Sequence, residues 1–178
     1  MTALSGVTPD IVCLAKSLGG GVAVAAIGGT ATVMEHVASG EYEMVGTFNG
    51  NPLAMAAARA MLTEVATPAA YDKLTRLRER AEAGLTKIIE AYQLNGRVVT
   101  AGAKGCVVFS AGPVRDYRGF LTADDSLSHA HWLFQHNGGV FLPPWGKIEQ
   151  WLISVQHDEA DIAHLVGNFA AFAQAVSP

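Results

Sequence analysis

Only 16% of this 178-residue chain is charged, and only two of its residues are cysteine. That charged fraction is low for a free-standing soluble domain of this size. Lys and Arg number 12 against 16 Asp and Glu, a net charge of -4. The basic residues form no long run, which excludes the electrostatic footprint of a nucleic-acid or anionic-membrane binder. Cys13 and Cys106 lie far apart within apolar runs, a pattern that predicts buried reduced thiols and argues against a disulfide framework or a CxxC metal site. No apolar run approaches the roughly 20 residues that cross a bilayer. The start, Met1 to Gly6, has neither the basic nor the apolar region of a secretory signal, so a cytoplasmic location is the expectation. Internal repeats and low-complexity segments are also lacking.

What is abundant is apolar surface. Half of the residues are hydrophobic and mean hydropathy is +0.25, apolar enough to predict burial against something beyond a single free-standing domain. With nucleic acid and membrane set aside, the expected ligand is a small molecule or another protein.

The chain opens with a short apolar run, Pro9 to Leu14, that predicts a buried strand running through Lys16 into the loop Gly19-Gly20-Gly21. A second run, Val22 to Ile27, closes on Gly28-Gly29, and Thr30 or Thr32 can cap a short helix over 33–38. Asn51 and Pro52 have the residue types of an N-cap and a first helical position. The helix they introduce, 53–65, is apolar nearly all round and is expected to be buried. From Ala70 to Tyr92, Tyr71, Leu74, Leu77, Ala81, Leu85, Ile88 and Tyr92 recur at spacings of three and four, a long amphipathic helix that Asn95-Gly96 should stop. Strands are expected at 98–99, 106–110, 140–141 and 152–155, and a helix over 124–135. Asp158 can cap a last helix over 159–175, with a buried stripe of Ile162, Leu165, Val166, Phe169, Phe172 and Val176. The second half reads as an α+β unit.

Lys16 is the residue with the most chemistry to offer. Between an apolar strand and a run of glycines an ammonium group is partly desolvated, which favours the neutral amine, the nucleophile that condenses with carbonyls. The same position also suits a strand-end lysine that reaches water. His129 and His131 are two apart, which on a helix sends them to different faces and argues against a metal pair. His157-Asp158 has the look of an acid-base pair, but Asp158 is better explained as an N-cap. The glycine cluster lacks both GxGxxG and a GK[ST] ending, so a nucleotide loop is the poorer reading.

Three segments, in order, resemble the class III aminotransferases and their relatives the glutamate-1-semialdehyde aminomutases: TPDIVCLAKSLGGGVAVAAIGG, GTFNGNPLAMAAARAML and GVFLPPWGKIEQWLISVQHDEADI. The resemblance covers nearly the whole chain. It implies an α/β architecture, an incomplete large domain of the PLP-dependent transferase (fold type I) followed by a small carboxy-terminal α+β domain. Residues 1–68 would be the end of the PLP-binding large domain, 69–94 a connecting helix and 95–178 the small domain. It implies pyridoxal 5'-phosphate as cofactor, Lys16 as its Schiff-base lysine and proton carrier, and Thr47 as the donor that holds the cofactor phosphate of the neighbouring subunit in a homodimer. Gly46 would let the backbone approach that phosphate. Thr47 also suits a turn-forming role before the Asn51-Pro52 cap.

Glu149 matches the acidic residue of the third segment, which in the aminomutases lies near the substrate. Taken by itself, on a loop between Trp145 and Trp151, it reads as a surface glutamate. Its neighbours depart from the aminomutase pattern, which leaves transaminase and aminomutase chemistry both open for a small-molecule amino donor and acceptor. In the family, the carboxylate for the pyridine nitrogen, the ring that packs on the cofactor and the phosphate cup all precede the lysine. Only fifteen residues do so here, so an amino-terminal half is expected to be missing. The rival expectation is a non-catalytic remnant that serves as a structural or dimerisation module.

Overall fold

A computed structural model describes residues 5–143, 146 and 150–177. The chain divides into two compact units, Met1–Ala70 and Tyr71–Pro178.

The first unit is built on a two-stranded antiparallel ladder, β1 (Ile11–Leu14) and β2 (Ala26–Gly29), in register from Ile11 opposite Gly29 to Leu14 opposite Ala26. A 3-10 turn over Lys16–Gly19 follows β1. The second strand begins at Ala26, later than the apolar run suggested, because Val22 is still engaged in turns, its N–H on the Gly19 carbonyl at 3.0 Å. Helix α1 (Ala31–Ala38) starts at Thr30, whose hydroxyl accepts the Val33 N–H. Helix α2 (Pro52–Ala60) starts where Asn51 Oδ1 accepts the Ala54 N–H at 2.9 Å, with Pro52 in the first turn. It continues as a π-helical turn over Met61–Val65.

The burial expected of this helix does not occur. Only Ala54 is buried on it, and Leu53, Met55 and Leu62 are exposed. Cys13, expected in a core, is exposed as well, whereas Cys106 is buried. The reason is architectural. A two-strand ladder and two short helices provide no second apolar layer for either residue set to pack against.

The second unit has that layer. Strands β3 (Arg97–Ala101), β4 (Lys104–Val108) and β5 (Gln150–Leu152) form an antiparallel sheet in the order β3-β4-β5. Helices α3 (Pro68–Ala91), α4 (Tyr117–Leu121), α5 (Asp125–Asn137) and α6 (Glu159–Val176) complete it. Leu77, Ala81, Leu85 and Ile89 of α3 meet Ile162, Leu165, Phe169 and Phe172 of α6 in one core with Val107, Phe109, Trp151 and Ile153. The α6 stripe follows the predicted spacing, with Val166 at the margin and Val176 exposed. On α3 the stripe holds at Leu77, Ala81 and Leu85, whereas Leu74 and Ile88 are only partly buried, Ile89 takes the buried position expected of Ile88, and Tyr71 and Tyr92 are exposed. Strand alternation sends Val107 into this core and Cys106 and Val108 into a smaller cluster with Ala123 on the opposite face.

Caps fix the helix limits. Helix α3 stops at Gln93 (φ +52) rather than at Gly96, with Leu94 N–H on the Ile89 carbonyl (3.0 Å) and Gln93 N–H on that of Glu90 (3.2 Å), a Schellman end. Asp124 caps α5 through the Leu127 N–H at 2.9 Å. Asp158 and Asp161 form a reciprocal capping box at the start of α6. The strand expected at Val140-Phe141 is irregular chain, and the one expected over 152–155 lies at Gln150–Leu152. Helix α4 was too short to announce itself by periodicity. Its start is the Asp116 cap on Gly119 N–H at 2.8 Å. Among the described residues no helix is long and apolar enough to cross a membrane.

Candidate functional site

The first unit holds a cleft of about 880 Å³ whose wall includes Lys16, Val22, Val24, Met44, Phe48 and Asn49. Lys16 is the only ionisable group among the described lining residues; the others are apolar, glycine or asparagine. Its backbone is left-handed, φ +61, after a fully extended Ala15 at φ -160 and ψ -164. Glycines follow it closely, with Gly20 at φ +57 and Gly21 at φ +111, conformations that a side chain would strain. An amine is thus presented on an otherwise uncharged surface, at the end of a strand and at the mouth of a glycine loop.

Thr47 and Gly46 lie in the turn that leads to α2. Asn49 shapes this turn. Its N–H reaches the Gly46 carbonyl at 3.0 Å and its side-chain amide donates to the Met44 carbonyl at 3.4 Å. A Cβ on Gly46 would come within 2.6 Å of Asn49 Oδ1, so this glycine already has a reason within the turn, independent of any ligand. Asn51 bridges the turn to the helix by donating to the Phe48 carbonyl at 3.0 Å while capping α2. With the asparagines turned inward to the backbone, Thr47 and Phe48 are left at the tip, both exposed, Phe48 by 80%. Phe48 and Asn49 line the Lys16 cleft and Thr47 does not. Lys16 and Thr47 therefore do not line the same cleft in this unit.

Glu149 lies outside the described residues. Its segment is followed by a clasp that the sequence pattern contained without explaining: the Ser and His of the third motif meet each other. Ser154 N–H donates to His157 Nδ1 at 2.9 Å, and the Ser154 hydroxyl lies 3.0 Å from the same nitrogen. Asp158, next to it, accepts the Ala160 and Asp161 N–H groups, so His157-Asp158 is a turn-and-cap arrangement rather than an acid-base pair. His131 is buried and His129 exposed, on different faces of α5, and the described residues contain no cluster with the makings of a metal site.

Sequence reading passed over Phe48 and Val24 as cleft residues. An aromatic residue in a turn flanked by Gly and Asn was the available sign for Phe48. Val24 gave none, because its position on the wall depends on how the glycine loop folds back.

Comparison with known proteins places these features in a family context. Residues 1–147 match the family model for Aminotransferase class-III. The chain is 38% identical over 162 residues to "Glutamate-1-semialdehyde 2,1-aminomutase 2" of Geobacillus thermodenitrificans (strain NG80-2), a match that covers 90% of this chain and 37% of that protein. Among solved structures, a β-phenylalanine aminotransferase from Variovorax paradoxus superposes with TM-score 0.83 at 27% identity, over 100% of this chain and 42% of that one. A glutamate-1-semialdehyde-aminomutase from Pseudomonas aeruginosa PAO1 in complex with PMP gives TM-score 0.83 at 22% identity, over 96% of this chain and 40% of that one. The chain spans about two fifths of the length of these relatives.

Proposed function

We propose that this chain, which belongs to the class-III aminotransferase family, is the carboxy-terminal portion of a pyridoxal-phosphate enzyme that transfers amino groups, with Lys16 as the cofactor-binding and proton-carrying residue. The observation that carries the reading is the placement of Lys16 as the one ionisable group on the described wall of an apolar cleft.

The residues present fit such a cofactor in part. A cleft of about 880 Å³ has room for a substituted pyridine and its phosphate, and the Lys16 amine stands on its wall. The described lining contains no carboxylate to pair with a ring nitrogen. That group, like a phosphate cup, would come from the remaining three fifths of a family-length protein. When bound, pyridoxal phosphate supplies an aldehyde that captures an amine and a ring that takes up an electron pair from the substrate carbon.

Lys16 has two tasks in this reading. Its neutral amine holds the cofactor covalently, and once displaced by a substrate amine its Nζ moves the proton off and onto the substrate α-carbon. The described wall around it is apolar and places no second ionisable side chain beside the amine. Lys16 itself is exposed in this chain rather than desolvated as its sequence position suggested, so its cover would come from the rest of a family-length protein. Thr47, exposed at a turn tip and off the wall of its own cleft, would donate its hydroxyl to the cofactor phosphate of a second copy, and the active form would be a homodimer.

Borohydride reduction of the complete protein loaded with pyridoxal phosphate, followed by peptide mapping, tests the assignment. The expected adduct is on Lys16. An adduct confined to Lys73, Lys87, Lys104 or Lys147 would overturn it.

A further inference from the structure

We infer that the contact between Gly19 and Val24 positions the Lys16 amine, by holding the lysine backbone in its left-handed turn; the inference rests on the role proposed for Lys16. Among the described residues two non-glycine positions have positive φ, Gln93 and Lys16. Gln93 is accounted for by its helix end, where two well-formed hydrogen bonds impose the conformation. Lys16 stands instead at the start of the 3-10 turn Lys16–Gly19, not at a helix end.

Turns follow one another from the lysine onward: Leu18 N–H reaches the Ala15 carbonyl at 3.3 Å, Gly20 N–H that of Ser17 at 3.1 Å, and Val22 N–H that of Gly19 at 3.0 Å. The 3-10 turn that begins at Lys16 ends at Gly19, which is buried. There the chain folds back on itself so closely that a Cβ on Gly19 would lie 2.6 Å from Val24 Cγ1. Valine is branched at Cβ and cannot swing a methyl aside without changing its staggered rotamer. Val24 also lines the cleft with Lys16, so this single contact joins the lysine turn to another part of the same wall. An L-residue left to itself avoids the left-handed region. If the contact is pried apart, Lys16 is free to relax to negative φ, which redirects its side chain relative to the cleft.

The test uses the complete protein loaded with pyridoxal phosphate. Gly19→Ala should still give a borohydride-trapped adduct on Lys16. The pH midpoint of the absorption band of the lysine-linked cofactor should move, and kcat should fall by about ten- to a hundredfold with KM changed far less, as expected for a misaimed group. Gly19→Ala combined with Val24→Ala, which reopens the space, should restore both the midpoint and kcat. A glycine needed only for folding would lower thermal stability and leave the spectral midpoint where it was. Should Gly19→Ala fail to fold, Val24→Ile presses the same gap from the other side and should move the midpoint likewise. An unchanged midpoint in the single variants, or no recovery in the double one, overturns the positioning role. An adduct on another lysine in the unsubstituted protein overturns the reading on which it rests.

Discussion

The two units of this chain have similar apolar content and opposite fates for it. In the first, an apolar ladder and an apolar helix leave Val45, Phe48 and Leu53 exposed, Val45 by 83%, and only Gly19 and Ala54 are buried among its described residues. In the second, Phe169 and Ala81 are completely inaccessible and a single core joins three helices to a sheet. Hydrophobic residues are a necessary condition for a core, but closure requires a second layer that faces the first. The second unit contains both of its layers. The first contains one, which accords with a chain about two fifths as long as its relatives.

The largest consequence concerns autonomy. A fragment that begins at Thr67, and so keeps the cap on Ala70 N–H at the start of α3, should fold alone and melt in one cooperative transition, because it retains its whole core. A fragment of residues 5–66 should show no such transition and should self-associate through its exposed apolar face. Circular dichroism and sedimentation of the two fragments check this, and a cooperative, monomeric 5–66 would break the contrast.

A smaller effect separates single residues. Phe169→Ala should cost about 3 to 5 kcal/mol in urea unfolding of this chain, by loss of transfer energy and creation of a cavity. Leu53→Ala should cost no more than about 0.5 kcal/mol in the same chain, since its side chain already faces water. Equal costs would show that Leu53 is covered by something the fold of this chain alone does not provide.

An effect below that of Phe169→Ala sharpens the picture of the second core, which contains polar groups as well. Asn168 Nδ2 donates to Gln135 Oε1 at 3.0 Å and to the Gln135 backbone carbonyl at 3.2 Å. With its oxygen so engaged, Gln135 turns its amide nitrogen to His131 Nε2, 3.2 Å away, and the imidazole sits edge-on to Phe169 with centroids 5.3 Å apart. Asn168→Ala should cost about 1 to 3 kcal/mol by leaving a buried acceptor without its donor. Gln135→Leu in that background should recover part of the loss, and a strictly additive double variant would argue against a connected network.

Much of this was legible in the residues. The stripes of α3 and α6, the Thr30, Asn51 and Asp158 caps, and the lysine before the glycines are all local patterns, set by helical period and by side-chain groups within four residues of the backbone they satisfy. The misreadings have a common cause. The strand expected at Val140-Phe141, the burial expected of Cys13 and the buried helix 53–65 each depended on a distant partner, and an apolar run specifies an appetite for burial without specifying what satisfies it.

The sequence by itself determined the longer helices and the Thr30, Asn51 and Asp158 caps, and it marked Lys16 as the candidate amine, because each depends on neighbours along the chain. Only the tertiary structure decided which apolar residues are core, that Thr47 stands off the wall on which Lys16 lies, and that Gly19 is closed against Val24. Those depend on the separation of atoms brought together by folding, and no spacing along the chain encodes that distance.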